Sequence, residues 1–315
     1  MSETAKIGKP NLNRTSKPSI GLITAEGIPL GKPESSGSLQ VLTGDSLVIL
    51  PTLPAESIQC CVTSPPYWGL RDYDHPAQIG AESSPELYVT NLVAIFREVR
   101  RIMRKDGTFW LNVGDGYARN GGTGNCGPNA LVGNTKKLIQ KRNCKVPDCW
   151  GLKNMDLMGL PWRVAFALQA DGWILRSRIT WIKKTAMPES VKNRPTKATE
   201  EIFLFTKSPA YYYDPLGVRE QSGANLRNYW ILGSDCAGSG HPATFPCELA
   251  RRCILLGSKK GDTVLDPFGG SGTTGLAAVE NGRKAILVEL NPDYSQLCKE
   301  RSHHGTKTRI KAASS

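Results

Sequence analysis

The 315-residue chain has nine cysteines but no Cys-x-x-Cys pair, so neither a zinc ribbon nor a thioredoxin-type redox motif is available. Cys144 and Cys149 are separated by four residues and have no second pair at finger spacing, and no metal is expected. The cysteine usage suits a reducing cytosol. Long apolar runs are also missing. Stretches such as Cys253–Leu256 and Ala285–Val288 fall far short of the about 20 residues that a membrane span needs. The opening MSETAKIGKPNLNRTSKP has no apolar core after its charges, so it does not read as a secretory signal, and a cytoplasmic location is expected. A zinc deaminase would need H-x-E and P-C-x-x-C, and neither occurs. Acidic residues are in deficit: 28 Asp plus Glu stand against 40 Lys plus Arg, a formal net charge of +12. That excess favours a polyanionic partner, most simply nucleic acid, against the plainer reading of a soluble basic protein.

Along the chain, residues 1–38 carry Pro, Gly, Ser and Lys without periodicity and read as a flexible basic tail. LQVLT (39–43) is a short strand pattern. SIQCCVT (57–63) is a nearly continuous apolar strand of the kind buried on both faces, with Cys60 and Cys61 as small core residues. From Pro85 to Lys105, Leu92, Phe96, Val99 and Met103 recur at helical spacing, Arg97, Arg100, Arg101 and Arg104 occupy the other face, and Gly107 is expected to end the helix before the strand TFWLNV (108–113). Residues 114–150 are Gly/Asn-rich and then basic, a long loop of the functional kind. A helix is expected over Gly159–Ala170, strands over 172–184 and 200–206, an irregular stretch over 208–242, and a helix from Pro246 to Leu256. The strand TVLD (263–266), a helix over Thr273–Asn281 and the strand KAILVE (284–289) then follow. The alternation argues an α/β sheet.

DPFGGSGTTG (266–275) leaves one strand and opens one helix, and satisfies G-x-G-x-x-G at Gly270, Gly272 and Gly275. Glu289 ends the next strand, where an acid can accept hydrogen bonds from ribose hydroxyls. A dinucleotide, S-adenosylmethionine, or a tight βα turn without ligand would each fit. Only about 25 residues follow Glu289, so the rest of the sheet must come from earlier in the chain, a circular permutation that counts against a dehydrogenase.

TSPPYWGLRDY (63–73) follows the apolar strand at 57–63. Two consecutive prolines hold the chain extended and donate nothing. Their carbonyls and the Ser64 hydroxyl make an acceptor-rich patch at a strand's carboxyl end, and Tyr67 and Trp68 add flat faces. Acceptors beside a ring suit a planar molecule presenting an amino group; a rigid proline turn packing two aromatics would leave the same residues.

Ser64-Pro65-Pro66-Tyr67, followed far downstream by Asp266-Pro267-Phe268-Gly269-Gly270-Ser271-Gly272, resembles the catalytic and cofactor motifs of the amino-methylating DNA methyltransferases, in the order of the permuted beta group. GDSL (44–47), RPTKATEEIFLFTKS (194–208) and HPATFP (241–246) belong to the same likeness, which covers roughly 39–300. The Ser at the first catalytic position is similar to the enzymes acting on the 4-amino group of cytosine; those acting on the 6-amino group of adenine more often carry Asp or Asn.

The resemblance implies a doubly wound, mostly parallel seven-stranded Rossmann-like sheet with S-adenosyl-L-methionine across its carboxyl ends. One catalytic domain would span 39–300, with a catalytic half 39–184, a basic insertion about 114–155, a target-recognition region about 185–240 and a cofactor half 241–300, before a basic tail 301–315. It implies that Ser64, Pro65, Pro66 and Tyr67 form the catalytic motif, with Tyr67 stacking on a flipped base. Asp266, Phe268, Gly269, Gly270 and Gly272 would line the methionine end, Glu289 would hold the ribose and Asp45 the adenine, with Pro246 and Glu248 on the same side. Double-stranded DNA is the implied partner, with phosphate contacts expected from the basic helix face and from Lys136, Lys137, Lys141, Arg142 and Arg194. A companion restriction endonuclease fits such a role. Adenine in DNA, or RNA or protein as substrate, are the alternatives. Ring-carbon methylation through Pro246-Cys247 is disfavoured because that pair opens a helix ahead of the cofactor strand, and a non-enzymatic DNA-binding module would leave the two motifs unexplained.

Overall fold

The computed structural model describes residues 38–70, 73, 75, 77–118, 150–186, 188–233 and 245–301, together with the backbone of 22–23 and 29–30. In chain order the elements are β1 (Leu22–Ile23), β2 (Pro29–Leu30), β3 (Leu39–Thr43), α1 (Ser46–Ile49), β4 (Ile58–Thr63), α2 (Pro85–Ile102), β5 (Met103–Val113), α3 (Leu160–Ala170), β6 (Ile174–Lys183), β7 (Thr199–Thr206), β8 (Tyr229–Leu232), α4 (Cys247–Gly257), β9 (Thr263–Asp266), α5 (Thr273–Glu280) and β10 (Lys284–Glu289). β1 and β2 pair antiparallel; the rest of the expected tail up to residue 37 lies outside the described residues.

The other eight strands form one sheet in the order β3-β10-β9-β4-β5-β7-β6-β8. β3, β10, β9, β4 and β5 run parallel; β7 is antiparallel to both β5 and β6, and β8 is parallel to β6. The last two strands of the sequence, β9 and β10, therefore sit between β3 and β4, the first two strands of this sheet, which is the expected permutation. The sheet has eight strands rather than seven because β8 forms within the stretch read as irregular. Its alternation, with Trp230 and Leu232 buried and Tyr229 and Ile231 exposed, lasts only four residues, too short to stand out in sequence.

Helices cover both faces. One core joins Leu92, Phe96 and Val99 of α2 and Val164 and Leu168 of α3 to Cys61 and Phe109; the other joins Leu249 and Cys253 of α4 and Ala277 and Ala278 of α5 to Cys60, Val62 and Trp110. Successive residues of β4 thus serve opposite cores, which explains its unbroken apolar run. Burial of the Cys60 thiol pushes it up to about 12, so it is an inert core group.

Gly107 does not end α2. The helix stops at Ile102 and the chain enters β5 at once, Met103 pairing with Ile58 of β4. Residues 104–107 then bulge against Gln59 before the ladder resumes at Thr108 opposite Cys60. A Cβ at Gly107 would lie 2.4 Å from Met103 Cγ and 3.0 Å from the Gln59 carbonyl, so glycine is needed for close approach within the strand. No described helix is long and apolar enough to cross a membrane.

Candidate active site

The parallel strands bring Thr43, Thr63, Val113, Asp266 and Glu289 to one rim of the sheet, with the start of β7 beside them. Ligands of open α/β sheets bind at such a rim, where strand order reverses. Here a cleft is lined by Asp45, Ser64, Pro66, Asp266, Phe268, Gly269, Gly270 and Glu289, among others. The tandem-proline turn and the glycine turn, two hundred residues apart in sequence, therefore form two walls of one space.

The glycine-turn wall is built around two carboxylates. Asp266, at the end of β9, is 2% exposed and accepts from Thr63 Oγ1 at 2.5 Å, Thr274 Oγ1 at 2.7 Å and the Phe268 amide at 3.0 Å. Burial nevertheless outweighs these bonds and raises its carboxyl to about 7. Glu289, ending β10, accepts the Gly270 amide at 2.7 Å and the Asn291 amide at 2.9 Å, and burial raises it as well. Gly270 has φ +52, and a Cβ there would meet only the Phe268 carbonyl, at 3.9 Å. Its neighbours pack inward instead. A Cβ at Gly269 would lie 3.0 Å from Leu287 Cβ, and one at Gly275 2.6 Å from Leu39 Cδ1. Gly272, at φ +85, stands at the N-terminus of α5 with Cys298 Sγ 3.2 Å from its ideal Cβ, and it does not line the cleft. Asp45 caps α1 by accepting the Leu47 amide at 2.8 Å, while Ser46 Oγ donates to the Pro267 carbonyl at 2.5 Å and ties α1 to the glycine turn.

The proline wall is held from behind. Tyr88 of α2 donates its hydroxyl to the Pro66 carbonyl at 3.1 Å, and the Gly69 amide donates to the Gly80 carbonyl at 2.8 Å. Pro65 is buried, and neither it nor Tyr67 is among the residues that line the cleft. Ser64 Oγ lies 3.2 Å from Tyr67 Oη, which in turn lies 2.7 Å from Glu200 Oε2 and 3.3 Å from Asn112 Oδ1. The Tyr67 ring lies against Gly114, where a Cβ would come within 2.5 Å of it.

Several expected residues are not brought to the cleft. Pro246 opens α4, and Glu248 on that helix pairs with Arg251 at 2.6 Å and Arg252 at 2.9 Å; Phe245 lines the cleft in their place. Lys136, Lys137, Lys141 and Arg142, like Cys144 and Cys149, lie outside the described residues. Arg194 pairs with Glu189 at 2.8 Å and covers the Tyr117 ring at 4.2 Å. The arginine face of α2 points away from the site. That helix runs antiparallel to the strands, so its last turn abuts the start of β4, where Ser57 donates to Ile102. Two of its arginines bond within the protein, Arg97 with Asp171 and Arg101 with Glu98 and the Leu50 and Leu53 carbonyls, while Arg104 falls on β5 instead and pairs with Asp106. Sequence reading missed Ser46, Asn291, Tyr294 and Glu200. Asn291 and Tyr294 follow β10 directly, so the carboxyl-end rule could have found them; Glu200 left no such signal.

A DNA methylase family model matches residues 58–300. The chain is 46% identical over 291 residues to the Type II methyltransferase M.Cfr9I of Citrobacter freundii, covering 91% of this chain and 95% of that one. It is 48% identical over 262 residues to the Type II methyltransferase M.XycI of Xanthomonas campestris pv. cyanopsidis, covering 82% and 85%. Among solved structures, PvuII DNA methyltransferase, described as cytosine-N4-specific, shares the fold with a TM-score of 0.63 at 22% identity over 84% of this chain and 86% of that one. A putative DNA modification methylase of Thermus thermophilus, TTHA0409, solved in complex with S-adenosyl-L-methionine, gives 0.58 at 27% identity over 84% and 93%. With a two-walled cleft at the permuted sheet's carboxyl rim, and a family match across most of its length, the chain belongs to the N6/N4 DNA methylase family.

Proposed function

We propose that the protein methylates the exocyclic 4-amino group of cytosine in double-stranded DNA, using S-adenosylmethionine. The observation that carries this is the single cleft with Ser64 and Pro66 on one wall and the buried acids and bare backbone of Gly270 on the other. The second wall fits the cofactor's chemistry: Asp266 and Glu289 are buried carboxylates at a site for a ligand with two positive charges and a ribose. Asp266, Phe268, Gly269 and Gly270 hold its methionine end, Glu289 its ribose and Asp45 its adenine. When bound, the cofactor supplies an electrophilic methyl group.

The amine of cytosine is a poor nucleophile because its lone pair conjugates with the ring. Ser64 Oγ and the Pro65 carbonyl accept its two hydrogens and favour a pyramidal nitrogen. No covalent enzyme intermediate is needed, and positioning supplies much of the rate. The base is flipped out of the duplex and stacks on the Tyr67 ring, whose hydroxyl is anchored at the sheet. Ser64 at the acceptor position favours cytosine over adenine. Incubation with labelled cofactor and DNA, followed by nucleoside analysis, is expected to yield N4-methylcytosine. Label in N6-methyladenine, or in RNA alone, would overturn the assignment.

The raised Asp266 carboxyl gives a second test. At about pH 7 it is half protonated in the free protein. A cationic ligand favours the ionised form, so binding releases a proton, and affinity rises with pH until it levels above about 7. Calorimetry in buffers of different ionisation heat should show that release near neutrality and none for Asp266→Asn. Equal heats in all buffers would remove Asp266 from the cofactor's positive end.

A further inference from the structure

We propose that Ser64, Tyr67, Glu200 and Lys183 form a directional hydrogen-bond chain that fixes Ser64 as an acceptor toward the cleft and carries off the proton lost by the target amine. This rests on the reading that an exocyclic amine is the methyl acceptor.

The direction follows from counting protons. Lys183 Nζ, on β6, lies 2.5 Å from Glu200 Oε1 on β7, and an ammonium only donates. The other oxygen, Oε2, lies 2.7 Å from Tyr67 Oη. Burial and the nearby Glu200 carboxylate hold the Tyr67 phenol well above its ordinary range, so it keeps its proton and donates it to Glu200. Asn112 Oδ1 is farther, at 3.3 Å, and has no proton to give; the amide nitrogen of Asn112 is directed to the Glu201 carbonyl at 3.2 Å. The remaining neighbour of Tyr67 Oη is Ser64 Oγ at 3.2 Å, and it must be the donor. With its one hydrogen so used, Ser64 offers only lone pairs to the cleft. That polarity accepts N–H groups and offers nothing to a carbonyl in the same place, so it selects an amino group. Glu201, the next residue, points to the other face of β7 and pairs with Arg178, which leaves Glu200 the carboxylate on the site side.

The chain also balances the reaction. As the amine nitrogen bonds to the methyl carbon, the electron pair of the breaking methyl–sulfur bond stays on sulfur. The nitrogen, now cationic, gives one proton to Ser64 Oγ. Ser64 passes its own to Tyr67 Oη, and Tyr67 passes its own to Glu200 Oε2. The net result is one proton moved from amine to carboxylate, next to Lys183, whose side chain is 31% exposed and opens the route to water. Glu200 and Lys183 act through Tyr67 and are positioning residues.

The test is single-turnover methylation of a duplex that the wild type methylates. Tyr67→Phe keeps the ring for stacking and removes only the hydroxyl; Glu200→Gln keeps the shape and removes the charge. Each is expected to slow methyl transfer by roughly 10- to 100-fold, while cofactor affinity stays within about twofold, since its wall is untouched. Because the residues act in series, the double variant should be no slower than the slower single variant. Lys183→Arg should keep the rate and Lys183→Met lose about tenfold. Wild-type rates for both single variants, or losses that multiply in the double variant, would overturn the chain even where the product is N4-methylcytosine. A wild type whose product is N6-methyladenine would overturn the cytosine assignment instead.

Discussion

Gly270→Val is expected to weaken cofactor binding by at least about 100-fold while the protein still folds. Two effects add. The residue sits at φ +52, in the left-handed region that a β-branched side chain occupies at a cost of about 1–2 kcal/mol. Its Cβ would also project into the cleft, because the only atom near that direction is the Phe268 carbonyl at 3.9 Å. The free protein therefore loses little, whereas a cofactor held as proposed would meet a branched side chain where it needs bare backbone. Gly270→Ala bears the backbone strain without the bulk and should fall between. The contrast is Gly275, where an added Cβ would lie 2.6 Å from Leu39 and 2.9 Å from Leu287; substitution there should lower the melting temperature, since it forces the helix off the strand. Calorimetric titration separates the two cases. Unchanged affinity in Gly270→Val would mean that this turn is a packing device and not a ligand wall.

The two walls were legible because each is local. A strand followed by prolines, and a strand followed by glycines, declare a strand's carboxyl end within ten residues, and the order of the two motifs along the chain pointed to the permutation. The residues behind the walls were not legible for the converse reason. Glu200 meets Tyr67 across 133 positions, and only because β7 pairs antiparallel between β5 and β6. The arginines of α2 show the limit of periodicity. Their spacing gave a polar face, but not that Asp171, 74 residues on, would meet Arg97, nor that the helix would run its basic end away from the rim. Gly107 misled because a glycine after a helical pattern usually ends it, and here the strand bulge claimed it first.

Ser64→Ala is expected to lower turnover by roughly 100- to 1000-fold, the scale on which loss of one positioned polar group in an active site is felt. In the proposed reading the change removes the acceptor for the amine and, with it, the first link of the proposed chain to Glu200. The cofactor wall should not register it. The hydroxyl bond of Ser64 runs to Tyr67, and the buried acid of the other wall is held by Thr63, Thr274 and the Phe268 amide. Cofactor affinity should therefore match the wild type, and the loss should appear in the methyl-transfer step of a single-turnover experiment. Residual turnover is expected, because the proposed contacts of the Pro65 carbonyl and the Tyr67 ring would still orient the base. A Ser64→Ala protein with wild-type turnover would mean that the prolines alone position the amine, and that the hydroxyl at the head of this turn is there to brace Tyr67.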